Sequence, residues 1–323
     1  MVVFPSAYGL KVMRRVGKVF WLVSILLASL VGCSQPDEDV VVVYTSQDQL
    51  YASQVLDDFE RETGIRVLPL FDSESVKTTG LINRLKAESR RPRCDVFWSN
   101  EELMVQRLCQ MGVTLESELK TFGYRTRRLV VNTNLVARGD VPASLAELVD
   151  EKWRGKVALA YPLYGTTITH LLALRAEWGQ ERWETWCRKL LRNEALVVDG
   201  NSAVVRLVGQ GRAALGLTDS DDIAVGLRNG LPIRMVDRVA GFPVIRNSAV
   251  LVDGAPHAEN GLKLIEYLQG NKTVARLQEL GALEGTEPNG DELWSVSWDR
   301  VMPEFDDAYK WLGDVFFREG ESR

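Results

Sequence analysis

Three carboxylates fall within four positions in the run Asp219-Ser220-Asp221-Asp222. Their mutual repulsion calls for a counter-charge or full hydration. Oxygen donors at that density suit a hard cation, and an enzyme built on carboxylate-held Mg²⁺ or Mn²⁺ is one reading of them. Other polar residues gather in short clusters: Ser46, Gln47 and Asp48; Asp72, Ser73, Glu74, Ser75 and Lys77; Ser99, Asn100, Glu101 and Glu102; Tyr161, Tyr164, Gly165, Thr166 and Thr167; Asp199, Gly200, Asn201 and Ser202. Helix capping accounts for Asp48, Ser75 and Asn201. It does not account for the acids Glu74, Asp219, Asp221 and Asp222 together. The chain has no G-x-S-x-G elbow, G-x-x-x-x-G-K-[ST] loop, H-E-x-x-H or C-x-x-C. Of its two histidines, His170 falls within a helical pattern and reads as structural.

The elements that must position these clusters follow from hydropathy. Val40 to Tyr44 is a β-branched run of the kind buried on both faces of a parallel sheet, and a helix with apolar Leu50, Leu56 and Phe59 follows, closed by Gly64. Ile65 to Phe71 and Cys94 to Ser99 read as further strands, with helices over Val76 to Glu88 and Glu101 to Met111, which is the spacing of successive βαβ units. A second block follows Pro142: strands at Lys156 to Ala160, Leu196 to Val198 and Ala213 to Thr218, and helices at Thr166 to Trp178 and Ser202 to Gly209. Arg127 to Val131 and Val244 to Val252 read as extended crossings between two domains, and the remainder is helical: His257 to Gln269, Lys272 to Leu280 and Glu304 to Phe317. In open α/β sheets ligands bind beyond the carboxyl ends of the strands, so the six polar loops face one region if the two blocks stand opposite each other. Trp98 closes an apolar run and reads as core, and the aromatic C-terminal stretch reads as helices packed on a lobe.

The chain has 323 residues, 46% hydrophobic and 26% charged, as in an ordinary globular protein of about two domains. Its first 32 positions hold Lys11, Arg14, Arg15 and Lys18 and no acid, so the rest keeps 35 of the 39 basic residues against all 44 acidic ones, a net charge of -9. So acidic a body argues against nucleic acid as a partner. The run Val19 to Val31 is too short to span a bilayer and reads as a signal-peptide core. It ends in Leu30-Val31-Gly32-Cys33, which resembles the lipobox of bacterial lipoproteins, with Cys33 as the acylated first residue and residues 33–39 as a tether. Cys94, Cys109 and Cys187 read as buried thiols, a Cys94–Cys109 bridge being the alternative for that pair.

VVVYTSQDQLYASQVLDDFERETGIRV, followed by DSESVKTTGLINRLKAESRRPRCDVFWSNEE, resembles the opening of the periplasmic solute-binding proteins of ABC importers, in the ferric-iron-binding subgroup of the type II fold. Arg125-Thr126-Arg127 leading into LVVNTN, Tyr164-Gly165-Thr166-Thr167 opening a helix, and GQGRAALGLTDSDD extend the similarity over nearly all of residues 40–285. The resemblance implies an α/β, two-lobed clamp with two crossover strands. Residues 40–130 with 240–285 form lobe 1, residues 131–239 form lobe 2, and 286–323 form a helical segment packed on a lobe. It implies a non-enzyme with no catalytic cofactor: a monomeric lipoprotein, exported and held to a membrane, that passes its ligand to ABC permease subunits. Ferric binders place an acid or histidine after the first strand, an acid after the second, and adjacent tyrosines near the last strand of the second lobe. Asp48 (or Gln47) and Glu74 stand at the first two positions, and Asp221 and Asp222 stand where the tyrosines would be. The implied metal ligands are therefore Asp48, Glu74, Asp221 and Asp222. Arg125 matches an arginine that contacts a synergistic anion, which Thr166 and Thr167 at a helix start would also bind. Ser46, Gln47, Ser73, Lys77, Asn100, Asn201 and Asp219 complete the expected ligand-binding set. Three cargoes stay open: Fe³⁺ with an anion, another hard cation such as Mn²⁺ or Ca²⁺, and a small organic anion such as a phosphonate.

Overall fold

Two half-sheets share one long strand. The computed structural model describes residues 39–71, 79–236, 239, 241–288 and 294–318. The expected signal peptide, Cys33, Ser73, Glu74 and Lys77 lie outside the described residues. The strands are β1 (Val40–Thr45), β2 (Arg66–Phe71), β3 (Val96–Ser99), β4 (Lys120–Asn132), β5 (Val157–Ala160), β6 (Leu196–Val198), β7 (Leu215–Asp219), β8 (Ile233–Val236) and β9 (Val244–Leu251). Their order is β2-β1-β3-β9-β4-β7-β5-β6, with β8 also paired to β4. β1 runs parallel to β2 and β3, and β5 runs parallel to β6 and β7, so each half carries its own βαβ core.

The join is β4, 13 residues long. Its first part, Lys120 to Thr126, pairs antiparallel with β9; its second part pairs with β7 from Arg127 and with β8 from Leu129. The register slips between Phe122 and Tyr124, at Gly123 with φ +60, where a Cβ would stand 2.4 Å from Leu283 Cδ1. Only glycine serves there, both for the backbone and for the space. The strand therefore runs longer than the Arg127 to Val131 crossing read from sequence, and β8 was not legible at all.

The helices are α1 (Gln49–Thr63), α2 (Thr79–Glu88), α3 (Leu103–Gln110), α4 (Gly165–Trp178), α5 (Gln180–Arg192), α6 (Asn201–Gly209), α7 (Ser220–Arg228), α8 (Ala258–Gln269), α9 (Asn271–Leu280), α10 (Trp298–Val301) and α11 (Phe305–Gly313). Residues of α1, α8 and α9 cover one face of the first half-sheet, with Phe59, Leu264 and Leu277 fully buried against Val41 and Val43. Burying each such side chain stabilises the fold by about 1.5–3 kcal/mol. In the second half, α6 and α7 bury Val204, Val208 and Ile223 over Val130 and Ala158. Gly216 lets α6 come close: a Cβ there would meet Val204 Cγ1 at 2.5 Å.

The C-terminal aromatic residues pack as helices. Phe305, Ala308 and Leu312 are buried, Trp311 lies 4.7 Å from Trp183 between ring centroids, and Phe317 lies 4.7 Å from Tyr161. The segment touches both half-sheets' helices: Asp306 pairs with Arg107 of α3 at 2.5 Å, and Glu304 pairs with Arg175 of α4.

Candidate functional site

The carboxyl ends of β1, β3, β5, β6 and β7 meet at one cleft. Asp48 follows β1 and precedes α1, Asn100 follows β3, Tyr161 to Thr167 join β5 to α4, Asp199 to Ser202 join β6 to α6, and Asp219 to Asp222 join β7 to α7. All contribute to the lining, together with Arg125 from β4. The cleft holds a cavity of about 50 Å³. An enclosed water needs roughly 10–15 Å³ by that measure, so the space suits a few atoms, such as an ion with a small anion.

Strand register builds the cleft's inner wall. Arg125 and Arg127 are two apart on β4 and so share a face, and Arg127 stands directly opposite Asp219 on β7. Arg127 is fully buried, and its Nη1 donates to Asp219 Oδ1 at 2.9 Å, Asn201 Oδ1 at 2.9 Å and Thr166 Oγ1 at 3.1 Å. Asp219 Oδ2 accepts from Thr166 Oγ1 at 2.7 Å and Asn201 Nδ2 at 2.9 Å. One ion pair thus fastens the amino ends of α4 and α6 to the end of β7. Burial alone would push the Asp219 carboxyl up, but the charges of Arg127 and Arg125 hold it below the ordinary carboxylate range.

Arg125 sits among acids. Its Nη1 lies 3.2 Å from Asp221 Oδ2 and its Nη2 lies 3.3 Å from Asp219 Oδ2, with 4% of the side chain exposed. Burial pulls the guanidinium's pKa down, but Asp221, Asp219, Asp48 and Asp222 outweigh burial and raise it. Asp219, Asp221 and Asp222 bring carboxylate oxygens within 4.8 Å of one another. Among the described residues these three are grouped closely enough to share an ion.

Of the residues singled out from sequence, Asp48, Asn100, Arg125, Thr166, Thr167, Asn201, Asp219, Asp221 and Asp222 line the cleft. Ser46 turns inward, its hydroxyl 3.1 Å from Ser99 Oγ and donating to Asn100 Oδ1 at 3.2 Å. Gln47 is buried, and neither atom of its side-chain amide has a hydrogen-bond partner. Among the expected metal ligands, Asp221 and Asp222 are brought close together and Asp48 lines the same cleft. Tyr161, Tyr164, Asp199, Gly200 and Ser202 also line the cleft, and the strand-end rule that pointed to their neighbours pointed to them as well. The rings of Tyr161 and Tyr164 lie with centroids 5.7 Å apart, tilted by 30°. Tyr51, on α1, has its phenol pushed up by burial first and then by the charges of Asp221 and Asp48.

Two buried groups stand beside the cleft. Glu101, after β3, is fully buried; its Oε2 accepts from Thr169 Oγ1 of α4 at 3.2 Å and its Oε1 accepts from the Met104 amide at 3.3 Å. Burial pushes its carboxyl up to about 7. His170 bonds the Gly241 carbonyl through Nε2 at 2.8 Å, and burial, with Arg127's charge, lowers its pKa to about 3, so it stays neutral as a structural residue. Trp98 is core, packed near Phe122. Cys94, Cys109 and Cys187 are free thiols.

A cleft between two α/β halves, lined by the strand ends of both, defines a ligand-binding clamp. The solved structure of iron-bound HitA from Pseudomonas aeruginosa has the same two-lobed architecture, with a TM-score of 0.73 at 18% identity over 85% of this chain and 99% of that one. The fold is the type II clamp. Residues 40–282 match the model of the bacterial extracellular solute-binding proteins, and the chain belongs to that family. Among curated relatives, it is 26% identical to iron uptake protein A1 of Synechocystis over 268 residues, covering 73% of this chain and 71% of the relative. It is 24% identical to the major ferric iron-binding protein of Neisseria meningitidis over 184 residues, covering 51% of this chain and 54% of the relative, so the match spans about half that protein's length. No helix among the described residues is long and apolar enough to cross a membrane.

Proposed function

We propose that this chain is the substrate-binding lipoprotein of an ABC importer, exported and anchored through Cys33, and that it carries a hard cation, first of all ferric iron, with a small anion. In this reading residues 40–130 with 240–285 form one lobe and 131–239 the other, the cargo lies between them, and a membrane permease receives it. One observation carries the choice of a cation: among the described residues, the cleft lining holds Asp48, Asp199, Asp219, Asp221 and Asp222 against the single base Arg125. Even with Arg127 counted behind the wall, carboxylates outnumber guanidiniums by five to two. An anionic organic solute would add charge of the same sign, whereas a multivalent cation relieves the repulsion. Asp222, Asp221 and Asp48, with the phenols of Tyr161 and Tyr164, make an all-oxygen donor set suited to Fe³⁺ or Mn²⁺. Glu74, in the loop after β2, is a further candidate ligand. The named ferric-binding relatives support iron over other hard cations.

A second reading, a small organic anion such as a phosphonate, draws on the amino end of α4, where Thr167 Oγ1 is buried without a hydrogen-bond partner. Native mass spectrometry with elemental analysis of protein purified without chelator separates the two. The cation reading expects stoichiometric metal and a small-anion mass increment. An organic mass without metal refutes it.

A further inference from the structure

We propose that the contact between Glu101 and Thr169 is a proton-linked latch across the seam of the clamp. The closed state holds a proton on the Glu101 carboxyl that the open state gives up, so cargo is held more tightly in mildly acidic than in mildly alkaline surroundings. The inference rests on the two-lobed reading above and adds to it a control on closure.

Glu101 belongs to the first lobe and Thr169 to the second. Glu101 follows β3, and its Oε2 accepts from Thr169 Oγ1 of α4 at 3.2 Å. The seam around this contact is apolar: Leu103 and Leu108 of α3 share one buried cluster with Ile168, Leu171 and Leu172 of α4. Asn100, the preceding residue, lines the cleft, so the carboxyl lies at the cleft edge of the seam and meets water when the lobes part. The surrounding charges do not hold it ionised. Glu102, on the same loop, opposes a negative charge there; Glu102 itself accepts from Gln106 Nε2 and lies near Trp298 of α10 and Arg246 of β9. On α4, His170 is neutral and Arg175 is taken by Glu304; on α3, Arg107 is taken by Asp306. Among the described residues, no Lys, Arg or His makes an ion pair with Glu101. Burial in the closed seam therefore lifts the carboxyl from 4.5 to about 7. Closing takes up a proton; the gain is complete below the open-state value and is lost as pH rises through about 7. The gap between 4.5 and about 7 bounds the change in the closed-to-open ratio at roughly 300-fold.

The test is titration of Mn²⁺ chloride into the full mature protein at pH 5.5, 6.5, 7.5 and 8, in wild type, Glu101→Gln and Thr169→Val, each checked for an intact thermal transition. Protonation of the coordinating groups is common to all three, so it cancels in the ratio of dissociation constants, wild type over Glu101→Gln. That ratio is expected to rise at least tenfold between pH 5.5 and 8 and to level off above about 7. Thr169→Val removes a donor that favours the carboxylate, so its profile should level off at higher pH than wild type. A ratio that stays flat or falls overturns the inference. Should the glutamine variant not fold, the valine variant decides: a profile of the same shape as wild type overturns it. Absence of Mn²⁺ binding in every protein at every pH refutes the cation reading, and the latch is then decided by small-angle X-ray scattering of the cargo-free protein. Wild type expanding between pH 5.5 and 8 while Glu101→Gln keeps its size supports it; the same size profile in both overturns it.

Discussion

Replacing Glu101 by glutamine should make the protein more stable at mildly alkaline pH and remove most of its loss of stability between about pH 4.5 and 7. The side chain is fully buried, and its partners are neutral donors, the hydroxyl Thr169 Oγ1 and the backbone amides of Met104 and Leu103. No cation pairs with it in those contacts. Burial, with a smaller push from Glu102, raises its carboxyl from 4.5 to about 7 in the folded protein. The folded state therefore holds a proton that the unfolded chain gives up near pH 4.5. The stabilising contribution is complete below that value and disappears as pH rises through about 7. A shift of two to three units corresponds to roughly 3 kcal/mol. Glutamine keeps the shape and the acceptor oxygen but cannot ionise. Urea unfolding at pH 4.5, 6, 7 and 8 should then show wild type and Glu101→Gln diverging as pH rises, the variant being about 3 kcal/mol more stable at pH 8. Parallel curves, or a variant weaker at pH 8 than at pH 5 relative to wild type, would mean that Glu101 is charged at little cost and that the burial argument is wrong.

Asp221→Asn with Asp222→Asn should abolish ligand-induced thermal stabilisation, which for wild type is about 2.7 kcal/mol at a hundredfold excess of ligand over its dissociation constant; undiminished stabilisation by ferric citrate in differential scanning calorimetry would place the site elsewhere. Arg127→Met removes three hydrogen bonds and leaves Asp219 buried with one guanidinium fewer, at a cost of about 3–5 kcal/mol. The melting temperature should fall by roughly 6–10 °C at about 2 °C per kcal/mol, and a drop below 2 °C contradicts the network's structural role. Gly216→Ala drives a methyl into Val204 and Val130 and should cost about 1–3 kcal/mol in urea unfolding by overpacking.

Much of the site was legible because it obeys a local rule. Ser, Thr, Asp and Asn clusters after apolar β-branched runs mark strand-to-helix turns, and the turns at Asp48, Asn100, Thr166, Asn201 and Asp219 do meet. The same rule covers Tyr161 and Tyr164, which lie outside the donor set that the resemblance implies. The roles of Arg127 and Asp219 were not legible. They pair across 92 positions, a relation set by the register of β4 on β7 and by nothing local. β8, with its mixed Ile-Arg-Met-Val pattern, is fixed by pairing with β4 and carries too little periodicity to announce itself. The helix α5 is marked in the sequence by Trp183, Trp186, Cys187 and Leu190, spaced i, i+3, i+4 and i+7 and all buried, although the elements expected from hydropathy omit it.

Anomalous diffraction at the iron edge, from crystals of the protein isolated without chelator, addresses the central claim most directly. The account predicts a single strong peak in the cleft within coordination distance of oxygens from Asp221 or Asp222 and from Tyr161 or Asp48, with an oxyanion on Arg125. Electron density for an organic molecule seated on Arg125 and the start of α4, with no anomalous scatterer in the cleft, would contradict it.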